Sequence, residues 1–241
     1  MTEFMRIKDT WLGLAFLTLR KEQKEIALLA TIDVGPQEYF ERISEHIKKR
    51  EKRGFAILFE DVDGVDRALA EEPDAEEADY HRTKRDALNL LQEHGFWFLA
   101  DMVKREDYWV SADNLEPVVA QAREEASRAP GGWDTLLSER RKGYDAILQN
   151  PKEAAASLQR FPLPPELYDL DHPFTKSRID NRDAHAVKTI QQHTKKHHVY
   201  ALWGVDHIPG IVRGLKESGF EITQTQWMDV MIVPAEPTTD P

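Results

Sequence analysis

The residues best suited to chemistry stand just after short apolar runs. Ile26 to Ile32 leads into Asp33, within Ala30-Thr31-Ile32-Asp33-Val34-Gly35-Pro36. Phe55 to Phe59 leads into Glu60 and Asp61, and His198 to Trp203 leads into Gly204-Val205-Asp206-His207-Ile208-Pro209-Gly210. Runs of this length read as buried strands, and open parallel sheets gather ligands at the carboxyl ends of their strands. Carboxylates and an imidazole meeting on one rim could exchange a proton, or could hold a divalent cation through oxygen and nitrogen. Taken singly, an Asp at such a place is as well explained as a helix cap. Three such ends in one chain favour a shared site.

Asp180-Asn-Arg-Asp183 reads as the opening of a helix running to Lys195, with Asp180 or Asn181 as its cap and Asp183 favouring the dipole. Arg182 would counter Asp33 and Glu60 and could anchor an anionic substrate group bidentately; paired with Glu60 alone, it would be structural. His185, one turn further, shares the face of Arg182. His197-His198 beside Lys195-Lys196 imitates a metal cluster, but neighbours entering a strand point to opposite faces. Phe96, Trp97, Phe98, Tyr108 and Trp109 suit core packing better than a ligand pocket. Cysteine is absent, so thiolate catalysis and iron–sulfur clusters are excluded, and any metal must use His, Asp or Glu. Gly-rich phosphate loops, Gly-x-Ser-x-Gly and His-Glu-x-x-His are missing as well.

The elements that position these residues follow a rhythm. Trp11–Leu19 and Ile26–Ile32 read as two strands joined by a charged turn, Gln37–Lys52 as an amphipathic helix with a basic end, and Phe55–Phe59 as a strand. Helices are expected over Asp79–His94, Phe96–Lys104, Asn114–Ala129 and Trp133–Gln149, with Glu71–Glu77 a solvated loop or helix start. Pro130-Gly-Gly132 is a break and Phe161–Pro165 a turn-rich connector. His198–Trp203, the helix Ile208–Ser218, and strands Phe220–Thr225 and Trp227–Val233 complete the pattern. The fold class is α/β: one domain over residues 1–241, its mixed sheet built from both ends of the chain, with a helical insertion at 79–160 and a mobile tail at 234–241.

The chain has 241 residues and a formal net charge of −11. That deficit of positive charge argues against general nucleic-acid binding, although a basic groove confined to one face would escape the count. The start lacks a secretory pattern, and Trp11–Leu19 is too short to cross a bilayer, so a cytoplasmic protein without membrane partners is expected.

Four segments resemble the TraB/Tiki superfamily, which includes pheromone-shutdown proteins, Tiki metalloproteases, GumN-like proteins and, more distantly, erythromycin esterases and ChaN-like haem-binding proteins. Leu28–Tyr39 is similar to the first Gly-x-x-His strand end, Ala56–Val62 to the strand bearing the family glutamate, here Glu60, and Ile179–His185 to an Arg-containing helix, with Arg182 matching. Trp203–Ile211 is similar to the second Gly-x-x-His, with Gly204 and His207 matching, and Trp109–Asp113 to an insert segment that brings in Asp113. The resemblance implies a metal-assisted hydrolase or related lyase acting on a small polar molecule or peptide. Asp33, Glu60 and His207 would be ligands of Mn, Co or Zn or proton-transfer groups; Arg182, His185 and Asp113 would bind substrate. In the first motif Asp33 replaces the histidine and Ala30 the glycine, which makes the site more anionic and removes an imidazole that could titrate near neutrality. Two rival expectations follow: a non-catalytic ligand- or haem-binding sensor, or a metal-free enzyme on the same fold. Oligomeric state is left open.

Overall fold

The structure is a computed structural model that describes residues 4–8, 10–61, 75–113, 124, 132–160 and 173–232. Strands β1 (Met5–Lys8), β2 (Trp11–Lys21) and β3 (Lys24–Thr31) are followed by β4 (Val34–Pro36), helix α1 (Gln37–Glu51) and β5 (Ala56–Phe59). The middle holds α2 (Ala75–Glu93), β6 (Phe96–Phe98), α3 (Leu99–Met102), β7 (Val110–Ser111), α4 (Gly132–Gln149) and α5 (Pro151–Arg160). The chain returns through α6 (Pro173–Thr194), β8 (Val199–Gly204), α7 (Ile208–Glu217) and β9 (Glu221–Ile232).

Seven strands form one mixed sheet, confirming the α/β class. Its antiparallel side is β9 against β2, with β1 and β3 sharing the other flank of β2. Its parallel side is β3, β8, β5 and β7, in that order. The expected strand–helix–strand unit is present, but β8, from the end of the chain, lies between its two strands. The register sets Ala30 opposite Trp203, Leu202 opposite Phe59, and Phe59 opposite Ser111, so the four parallel strands end at one level.

Burial explains the apolar runs. Leu14, Leu17, Leu19, Ile26, Leu28, Leu29, Tyr200 and Trp203 lose essentially all contact with water, each large aliphatic contributing about 2 kcal/mol of transfer free energy. Helix α1 packs Tyr39, Phe40, Ile43 and Ile47 against the sheet, the face that its spacing forecast.

Several boundaries differ from expectation. Phe96–Lys104 is not one helix: Phe96–Phe98 is a strand pairing antiparallel with β4, and only Leu99–Met102 is helical. The insertion is therefore not purely helical, and its strand β7 joins the main sheet. The two closing strands are a single β9, whose polar middle Thr223–Gln226 lies largely in water. Helix α6 begins at Pro173, so Asp180–Asp183 sits inside it and caps nothing. The expected helix at 114–129, apart from residue 124, the connector at 161–165 and the tail lie outside the described residues, as do residues 71–74 of the acidic stretch; its last residues open α2. Among the described residues, no helix is long and apolar enough to cross a membrane.

Candidate active site

The level rim of the parallel strands carries Asp33 beyond β3, Glu60 after β5, Asp113 after β7, and Asp206 and His207 after β8. Helix α6 lays Arg182 among them. Its Nε donates to Asp113 Oδ1 at 3.0 Å, and Nη2 donates to Asp113 Oδ2 and Glu60 Oε1, each at 2.5 Å. Nη1 lies 3.1 Å from His207 Nε2. A guanidinium has five N–H donors, so these contacts leave one for anything else. Arg182 thus organises the protein's own groups and does not present an open fork to a substrate anion.

The same geometry fixes the imidazole. Arginine can only donate, so in the neutral ring Nε2 of His207 accepts and the proton sits on Nδ1, 2.6 Å from Asp183 Oδ1; a charged ring would keep that Asp183 bond and add its charge to the site. His207 stands at the N-cap position of α7 but makes no side-chain cap bond, so the simple capping explanation does not apply. Its ring packs edge-on against Trp203 at 6.0 Å. Burial raises the pKa of Asp183, against the opposing pull of its bond to His207. Room for this carboxylate comes from Gly210, where a Cβ would overlap Asp183 Oδ2.

Glu60 is gripped at both oxygens. Oε2 accepts the Gly204 N–H at 2.6 Å while Oε1 receives Arg182. A Cβ at Gly204 would lie 2.9 Å from Oε2, which explains the glycine at the end of β8. Burial pushes the Glu60 pKa up, but neighbouring His207 and Arg182 and the Gly204 bond more than offset it, and the net shift is downward. Glu60 is a fixed carboxylate.

Asp33 behaves differently. Its backbone carbonyl accepts the Leu99 N–H at 2.7 Å, which holds it at the rim. Its half-buried carboxyl is pushed up to about 7, first by burial and then by the negative charge of Glu60, with Lys84, Arg182 and His207 pulling the other way. A carboxyl at this place therefore titrates near neutrality although no imidazole stands there. Asp206 is also raised, by burial and by Glu60. His185 is half-buried on α6 and makes none of the cluster's hydrogen bonds. Asp61 pairs with Arg105 at 2.6 Å, and His198 stacks on Phe55 at 5.2 Å while accepting the Glu25 N–H.

The proposed metal set does not fit this arrangement. Among the described residues no three His, Asp or Glu side chains are placed to hold an ion. Both oxygens of Glu60 and both ring nitrogens of His207 have protein partners, and the guanidinium bridges the two groups that a cation would have joined. The same engagement leaves His207 no ring nitrogen for haem iron.

Asp183 is the participant that the sequence missed. Gly210 was its signal: a helix-weakening residue inside a strongly amphipathic helix marks a close approach. Compared with protein-family models, curated proteins and solved structures, the chain gives no match.

Proposed function

We propose that this chain is a divergent TraB/Tiki-like enzyme, a cytoplasmic hydrolase that acts on a small polar molecule or peptide by proton transfer without a bound metal. The observation that carries this reading is the half-buried Asp33 carboxyl on the same rim as Glu60, a carboxylate gripped by Arg182 and the Gly204 N–H; burial and that negative charge push Asp33 up to about 7. A group titrating at working pH is what general acid–base catalysis requires. In this mechanism the Asp33 carboxylate takes a proton from water as the water oxygen bonds to an acyl carbon. The protonated carboxyl returns that proton to the departing amine or alcohol as the tetrahedral intermediate collapses. Burial and then Glu60 keep the Asp33 pKa high, Arg182, itself held by Asp113, and the Gly204 N–H hold Glu60, and Asp183 fixes His207 against Arg182. The excess of carboxylates at the rim favours neutral or cationic substrates over anionic ones.

The test is a panel of chromogenic esters, lactones and aminoacyl anilides assayed after exhaustive chelation. Hydrolysis should survive chelation and fall by about 100-fold or more in Asp33→Asn, the usual contribution of a proton-transfer group. Activity lost with the metal, or unchanged in that variant, contradicts the reading.

A further inference from the structure

The edge of the sheet opposite the site, where β3, β8 and β5 begin, carries the reverse charge. Helix α1 ends there in Lys48-Lys49-Arg50, continued by Lys52-Arg53, and the turn from α6 to β8 is Lys195-Lys196-His197-His198. These segments are distant in sequence but adjacent in space: Ala56 pairs with Val199, and the Ala56 N–H donates to the His198 carbonyl at 2.8 Å. Lys24, the first residue of β3, reaches the Lys195 carbonyl at 3.3 Å.

The nearby acids are mostly committed. Glu25 is bound by Arg20 at 2.7 Å and Arg50 at 3.3 Å, and Glu51 accepts from Tyr108 Oη at 2.8 Å and Trp109 Nε1 at 2.7 Å. Glu45 faces Lys49 at 3.9 Å. Lys48, Lys52, Lys195 and Lys196 are exposed and enter no ion pair among the described residues. Glu106 and Asp107 bound the strip on the β7 side, and Glu22 and Glu217 on the other. A cationic face in a chain of net charge −11 is a segregated one.

We infer that this basic edge binds the phosphodiester backbone of single-stranded nucleic acid. Exposed ammonium groups on flexible stems act as point charges, which suit a run of phosphates better than one planar anion. The Tyr108 ring, 69% exposed and tethered through its hydroxyl to Glu51, gives a base a surface to stack on. An anionic membrane would want aliphatic side chains to enter its interface. The other exposed large apolar residues described, Ile7, Trp11 and Ile232, belong to the far end of β1, β2 and β9. The inference is independent of the acid–base reading.

The test is fluorescence polarisation of the full chain with a labelled oligouridylate of about 20 nucleotides. Four phosphate contacts correspond to a salt slope near −3, so affinity should fall about 50-fold between about 50 and about 200 mM salt. The double variants K52E/R53E and K195E/K196E should each weaken binding by about tenfold or more and flatten the slope, with unchanged melting temperature. K152E, a charge reversal on exposed α5, should bind as the parent does. Absence of binding at low salt, equal binding by the reversed variants, or binding to phosphatidylserine vesicles but not to the oligonucleotide would each overturn the inference.

Discussion

Replacing Arg182 with methionine tests the electrostatic design of the site most severely. The side chain keeps its apolar stem but loses the group that touches Asp113, Glu60 and His207. The Asp113 side chain is fully buried and that of Glu60 is 10% exposed, so both charges would be left in a medium that solvates them poorly. Breaking one buried pair in this way costs about 3–5 kcal/mol. The contacts share one guanidinium and one carboxylate can protonate, so the losses do not add, and about 4 kcal/mol near pH 8 is the expected total. The sign of the pH dependence follows from linkage. In the parent the folded pKa of Glu60 is lowered, so its contribution is present at high pH and is lost as pH falls. In the variant the stranded carboxylates would have raised folded pKa values, so stability recovers as pH falls. The parent's loss sets in only below the unfolded value of about 4.5, so the variant's recovery alone shrinks the difference, to roughly 2 kcal/mol near pH 5. Urea unfolding of both proteins at the two pH values measures it. A loss below about 1 kcal/mol, or one that does not change with pH, refutes the reasoning.

Other outcomes follow from the same geometry. Gly210→Ala should destabilise by about 1–2 kcal/mol because its methyl displaces Asp183 from His207, whereas Gly143→Ala, in open space on α4, should stabilise by about 0.5–1 kcal/mol; thermal unfolding distinguishes them. Asp33 has a folded pKa above its unfolded one, so its carboxyl lowers stability as pH rises from about 4 through about 7, by roughly 4 kcal/mol in total; Asp33→Asn should remove that slope in denaturation curves. Mn, Co or Zn should leave the melting temperature unchanged, and haem titration should give no Soret band from ligation, because the donors of Glu60 and His207 are already engaged.

The strand ends were legible because each follows a run too apolar to lie anywhere but in the sheet, and the polar residue after it must meet the rim. Asp33, Glu60 and His207 are read that way, Arg182 from its helix segment and the resemblance, and Asp113 through the resemblance alone. What could not be read depended on neighbours distant in sequence. Asp183 looked like a helix-dipole residue because the helix was thought to open at Asp180; its true partner lies across the α6–α7 contact, where Gly210 yields space. The Arg182 fork looked available because sequence shows donors but not how many acceptors surround them. Phe96-Trp97-Phe98 reads as the start of a helix in the sequence, yet it pairs with β4, and consecutive aromatics after Gly95 favour a strand. The polar run in β9 resembled a break because an edge strand can keep its side chains in water.

Carboxyl-carbon NMR of aspartate-labelled protein, with the Asp33 signal assigned through Asp33→Asn, addresses the proton-transfer reading without needing a substrate. A titration midpoint near 7 for Asp33 is the expected result. A midpoint near the ordinary aspartate value of about 4 would mean that the rim holds no group able to exchange protons at neutral pH as described, and would contradict the account.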